Sequence, residues 1–216
     1  IRDRIFNRTD NVGVADVITG TGLLRQEGAG QLTLSAANTY TGSTTVNAGT
    51  LGLSSDSNLG TAPSSVQTGQ LVVNNGASLY FYPVFTSNLN ANRGITLTGS
   101  TTFNTATGSE VTYAGIVAGT GSLTKAGAGT LILSGTNTYS TTTVSAGTLQ
   151  IGNGGTTGTW GTGALVDNAA LVISRSDDIT LAHAISGTGT LSKLGSNILT
   201  LTGSQTYSGD TNVAAG

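Results

Sequence analysis

The side chains whose types could do chemistry are few. His183, in Leu181-Ala182-His183-Ala184, is the sole histidine; Arg175 precedes the acidic pair Asp177-Asp178, and Lys193 follows. A histidine beside a serine and a carboxylate would support acyl transfer, whereas carboxylates with a basic neighbour would cleave polysaccharide or hold Ca²⁺. Every such role needs several groups within mutual reach. The carboxylates are scattered and no G-x-S-x-G elbow occurs, so His183 is expected in an exposed strand or corner and Asp177-Asp178 in a solvated corner. Arg175, Asp177, Asp178 and Lys193 gathered in one cleft would revive a β-helix enzyme acting on polysaccharide. Gly152-Asn153-Gly154-Gly155 lacks the aspartates of calcium-binding repeats and the Lys-Ser/Thr ending of a phosphate loop. No catalytic residue, metal ligand or cofactor is assigned, and with no cysteine there is neither a disulfide nor a thiolate site.

Aromatic residues offer a binding chemistry instead. Tyr80-Phe81-Tyr82-Pro83-Val84-Phe85 is the densest aromatic run, and an Asn-rich stretch from Asn88 through Asn90 to Arg93 follows it. Exposed, these side chains would form a protrusion contacting sugar or protein, because aromatics give large contact area. Buried, they would be a packed loop or a locally thickened core, which is the more ordinary fate of aromatics. Trp160, in Gly158-Thr159-Trp160-Gly161, poses the same choice. The candidate interaction surface is therefore Tyr80, Phe81, Tyr82, Phe85, Asn88, Asn90, Arg93 and Trp160.

The elements that must position these residues are legible in the composition. Apolar residues make up 37% of the chain, enough for a core. Charged residues make up only 8%, far below the roughly 25% of ordinary globular proteins. Glycine is abundant, and Thr, Ser, Asn and Ala are frequent, which suits short strands with polar outer faces and tight turns. Apolar runs are too short to span a membrane as a helix. A net charge of −2 and alternating phrases such as Ile198-Leu199-Thr200-Leu201 argue against a disordered linker. Eight Lys and Arg spread along a chain of pI about 5.1 leave no basic stripe, so nucleic acid is not an expected partner.

One phrase occurs three times, at 17–51, 116–149 and 185–216. Aligned on Tyr40, Tyr139 and Tyr207, the copies agree at Gly20, Gly22, Gly28 and Gly30, at Gly119, Gly121, Gly127 and Gly129, and at Gly187, Gly189 and Gly195. Asn197 replaces the last glycine of the third copy, which predicts that this position needs a positive φ. Leucines at a spacing of two (Leu32 and Leu34, Leu131 and Leu133, Leu199 and Leu201) belong on one strand face, with Thr33 and Thr200 outward. The second copy lacks the counterpart of Gly42 and Gly209, a deletion that only a corner tolerates. Strands are also predicted around 71–81, 95–98, 109–113, 165–173 and 179–182. Self-similar units that bury each other's apolar faces form a solenoid. The expected fold is all-β, a parallel β-helix over 1–216 with roughly nine or ten coils, each about 20 to 25 residues, stacked at about 4.8 Å.

The phrase G-x-G-x-L-x-K-x-G-x-G-x-L-x-L-x-G-x-N-x-Y, then T-x-V-x-A-G-x-L, clearest from Gly119 to Leu149 with Lys125 at its basic position, resembles the autotransporter-associated β-strand repeat, or passenger-associated transport repeat. Gln26 and Lys193 hold the basic position in the other copies. The resemblance implies a right-handed β-helix exported through an outer-membrane β-barrel to the surface of a Gram-negative bacterium or beyond. It implies repeats that aid passenger folding and secretion, in passengers that are often adhesins. Absence of cysteine suits secretion. Lack of a signal peptide and a barrel within the chain, and a third repeat stopping at Ala215-Gly216, make it an expected piece of a longer passenger.

The function expected is a rigid stalk for adhesion, autoaggregation or biofilm formation. Its partners would be a host-cell or matrix protein or glycan, another copy between cells, and the parent barrel during export. Alternatives are the polysaccharide enzyme above and a toxin or signalling ligand on the same scaffold.

Overall fold

The computed structural model describes residues 2–86 and 88–215; Ile1 and Gly216, the two ends of the expected 1–216 span, and Ser87 lie outside the described residues. Alternating β-branched and aliphatic residues, punctuated by glycine, give twenty-four short strands and one 3₁₀ turn, Asp56–Leu59, among the described residues. All strand pairings among the described residues are parallel, between segments one coil apart, and make a β-solenoid of about ten turns. The chain visits three faces in order: a six-stranded sheet, a nine-stranded sheet and a seven-stranded sheet. Near the C-terminus a two-stranded sheet, Ile179–Leu181 with Leu199–Leu201, takes the first face's place in chain order.

Period-two patterning sets the core. Leu32, Leu51, Leu79 and Phe103 stack in register on the second face, and Val111, Leu131, Leu149, Leu171 and Leu191 on the third. All are buried and belong to one apolar cluster running along the axis. The strands predicted outside the repeats are present as Leu71-containing Gln67–Val73, Ser78–Phe81, Arg93–Leu97, Glu110–Tyr113, Leu165–Asp167, Ala170–Ser174 and Ile179–Leu181.

The three repeats do not sit above one another. Copy one places Leu24–Gln26 and Thr44–Val46 on the first face and Gln31–Leu34 and Thr50–Leu53 on the second. Copy two places the equivalent Ser122–Ala126 and Thr142–Val144 on the second, and Thr130–Leu133 and Thr148–Ile151 on the third. Copy three moves on again, with Thr190–Leu194 and Thr211–Val213 on the third and Leu199–Leu201 in the two-stranded sheet. Each copy is thus advanced by one face. Unequal coil length is what permits this: one turn runs from Leu24 to its partner Thr44, and the next, from Thr44 to Leu71, is longer.

Two corner expectations fare differently. Gly42 and Gly209 do lie outside strands, and in copy two Ser140 N–H simply bonds Gly121 O at 2.8 Å across the shortened corner. Asn197, however, does not adopt a positive φ; no described non-glycine residue does. Its counterparts Gly30 and Gly129 are not left-handed either. They are glycines because a Cβ there would strike the backbone of the coil below, Asp10 O or Ala106 O. Close approach, not φ, is the constraint, and a glycine's place in the sequence does not separate the two.

Candidate interaction surface

The repeat's polar residues turn inward. Asn38 Oδ1 accepts from Ile18 N at 2.8 Å, Asn137 Oδ1 from Val117 N at 2.8 Å and Gln205 Oε1 from Ile185 N at 3.1 Å. The matching amide nitrogens donate to carbonyls of neighbouring coils, Asn58 O, Thr159 O and His183 O. One side chain therefore satisfies donors and acceptors that an irregular corner leaves without a ladder partner. Tyr40, Tyr139 and Tyr207 bond Thr44, Thr142 and Thr211 through their hydroxyls at 2.7, 2.9 and 2.6 Å. Burial pushes the Tyr40 hydroxyl up to about 12 and that of Tyr139 higher still.

The basic position is interior as well. Lys125 is fully buried, and its ammonium donates to Ala126 O, Gly127 O and Ala146 O at 2.8–2.9 Å. Burial lowers its pKa to about 8. Gln26 Nε2 caps Gly28 O and Gly30 O in copy one, and Lys193 Nζ caps Gly195 O and Ala215 O in copy three. Two coils from Lys125, Asp167 is buried with its carboxylate accepting from Ala169 N, and burial raises its pKa.

The four groups that a polysaccharide enzyme would use do not converge. Arg175 and Asp177 pair at 2.7–2.9 Å, which holds Asp177 below the usual carboxylate range, and Arg175 also donates to Gly158 O. Asp178 accepts from Ile198 N, while Lys193 lies over its own corner. His183, half-buried, meets Trp160 edge-on at 5.8 Å beside an apolar cavity of about 170 Å³ lined also by Ile151, Ile173, Ile179 and Leu181. Its Nδ1 has no partner among the described residues. Among the described residues no three His, Asp or Glu side chains are grouped to hold a metal.

The structure divides the eight candidate surface residues. Phe81, Phe85 and Trp160 are core, not surface: Phe81 packs edge-on against Phe85 at 5.1 Å and Phe103 at 6.1 Å, and Trp160 donates Nε1–H to Gly163 O. Strand alternation sends Phe81 inward while its neighbours Tyr80 and Tyr82 stay outside. Arg93 is buried too, donating to Asp56, Leu59 O and Gly60 O. Burying so large a cation is tolerated because each of its three guanidinium nitrogens meets an acceptor. Asn90 fixes the preceding turn, its N–H on Asp56 and its Oδ1 accepting from Asn92 N. Asn88 is exposed, on the third face opposite Thr112.

Of the aromatic candidates, Tyr80 and Tyr82 remain outside, both half-buried, their rings 4.9 Å apart at 79°. The Tyr82 hydroxyl bonds Gln31 Nε2 at 2.7 Å and Thr33 Oγ1 at 3.0 Å. Gln31, Thr33 and Gly52, which lies between them and the rings, carry no signal in the sequence: their proximity to Tyr82 exists only once the coils stack.

Comparison with known proteins fits this architecture. The passenger-associated-transport-repeat family matches residues 24–53, 123–151 and 191–216. Over 181 residues, 83% of this chain, the sequence is 45% identical to a protein of Brucella suis biovar 1 (strain 1330) named Adhesin BmaC autotransporter, of whose length it spans 5%. No solved structure matches. Three matches on strands that stack in parallel, with the same amide and tyrosine corners in each copy, show that the chain carries the passenger-associated transport repeat of autotransporter passengers and is exported through the outer membrane to the cell surface.

Proposed function

We propose that this segment is a non-enzymatic, rigid stalk within its passenger, and that the passenger mediates adhesion, autoaggregation or biofilm formation. The observation that carries the reading is how the interior polar groups are used. Asn38, Asn137, Lys125 and Arg93 are bonded to backbone at corners, so the coils are locked to each other rather than arranged around a substrate. The outer strand faces present Thr, Ser and Asn at a regular spacing of about 4.8 Å, suited to many weak repeated contacts. The relative named as an adhesin supports the same role. Partners are a host-cell or matrix protein or glycan, or a copy on another cell, with the parent's outer-membrane barrel engaged during export.

Displayed on a non-adherent bacterium, the parent passenger is expected to increase clumping, attachment to surfaces or host-cell binding, and deleting this segment to reduce that gain. No gain in any of the three, together with glycan cleavage by the purified chain, would overturn the reading.

A further inference from the structure

We propose that Tyr80 and Tyr82, with Gln31 and Thr33, form a subsite for a neutral pyranose sugar on the outside of the nine-stranded sheet. Tyr82 follows the strand Ser78–Phe81, yet its hydroxyl reaches Gln31 and Thr33 on Gln31–Leu34, with Thr50–Leu53 in between. A side chain that crosses two strand spacings of about 4.8 Å has to lie along the sheet. Gly52 makes room for it, since a Cβ built there would stand 3.0 Å from Tyr82 Cε2 and 3.1 Å from Gln31 Nε2. Tyr80, opposite Gly52 in register, stands at 79° to the Tyr82 ring. The pair is a floor and a wall.

A sugar ring has an apolar C–H face and an edge of hydroxyls, and this shelf offers the complement of both. The floor is held in place before any ligand arrives, which reduces the ordering cost of binding. Beside it stands a hydroxyl without commitments: among the described residues the Tyr80 hydroxyl makes no hydrogen bond, while Asn104, its neighbour in register, turns its Oδ1 toward Gly127 on the next coil. Ser78 and Thr102 continue the hydroxyl row on the adjoining strands. Charge selects the class of sugar. The charged residues within the strands of this sheet, Lys125 and Asp167, both point inward, so the outer surface matches a neutral glycan and not a sulfated or sialylated one.

The subsite deepens the adhesion reading, which gives it a use, but binding is tested apart from adhesion. The purified chain is applied to an array of neutral cello-, chito-, manno- and galacto-oligosaccharides, with heparin and polysialic acid as acidic probes. Retention on at least one neutral series, insensitive to added salt, is expected. Tyr80→Ala and Tyr82→Ala each weaken it about tenfold or more; Tyr82→Phe, which keeps the ring and frees it from Gln31 and Thr33, weakens it less; Asn153→Ala, in an exposed corner away from this sheet, leaves it unchanged. Circular dichroism checks each variant's fold, and Tyr80→Ala, which breaks no hydrogen bond, keeps the test intact if Tyr82→Ala misfolds. The proposal is overturned by no neutral retention, by salt-sensitive retention of acidic probes alone, or by alanine variants that bind like the parent. Loss of attachment on deleting the segment, with no glycan bound, sinks the subsite and spares the adhesin; glycan binding without any attachment does the reverse.

Discussion

Two corners of the solenoid, one at Asn137 within the second repeat and one at Arg93 in the stretch before it, both replace missing ladder bonds with side-chain bonds. Asn137 does so with a neutral amide that touches Val117, Gly135 and Thr159, and Asn38 and Gln205 use the same device in the other copies. Arg93 instead brings a full charge into the interior and needs Asp56, on a different coil, to accompany it. An amide can be reused at any corner because it carries no charge to desolvate, whereas an ion pair works only where both partners coincide. The repeat is portable for that reason, and the stretch between repeats is particular.

Breaking each device measures the contrast. Arg93→Ala leaves the Asp56 carboxylate with only the Asn90 N–H and two buried carbonyls unanswered, and equilibrium urea unfolding is expected to show a loss of about 3–5 kcal/mol. Asn137→Ala strands the Val117 N–H and the Thr159 carbonyl without charge, for a loss of about 1–3 kcal/mol in the same measurement. A larger loss at Asn137 than at Arg93 would contradict the contrast. Lys125 tests it within the repeat family itself, since copy one has Gln26 at that place. Burial sets the folded Lys125 near 8, below its ordinary value, so the unfolded chain binds more protons above that point. Stability should therefore climb by ~1 kcal/mol as pH rises from about 8 to 9, before the tyrosines of the unfolded chain titrate near 10. Lys125→Gln should flatten the climb, seen as a melting temperature that no longer rises over that window. The smallest effect belongs to the tyrosine brace: Tyr139→Phe removes one hydroxyl while Thr142 keeps its bond to Trp160 O, for about 1 kcal/mol by thermal unfolding.

Much of this is readable from residue types alone. Leucines two apart, the Ala-Gly step at Gly49 and Gly147, and the tyrosine at each corner report local rules, and local rules survive stacking. Contacts set by coil length are not readable. Arg93 meets Asp56, and Tyr82 meets Gln31, because turns of unequal length bring those distant positions together. The aromatic run is half legible for a related reason. Composition singles it out, but only the register of Ser78–Phe81 decides that Phe81 enters the core while Tyr80 stays outside. Asn197 misleads because a glycine in sequence does not say whether it is there for its φ or for want of a Cβ.

The stepwise advance of the repeats from face to face bears on how the rod meets its surroundings. A stalk fixed at one end can roll about its long axis, and a rod whose copies all pointed the same way would turn its back on a surface half the time. Here equivalent outward residues (Arg25, Thr124 and Ser192, or Thr45, Thr143 and Asn212) look out in three directions around the axis. No roll angle hides them all, and a tethered rod of this kind has no blind side.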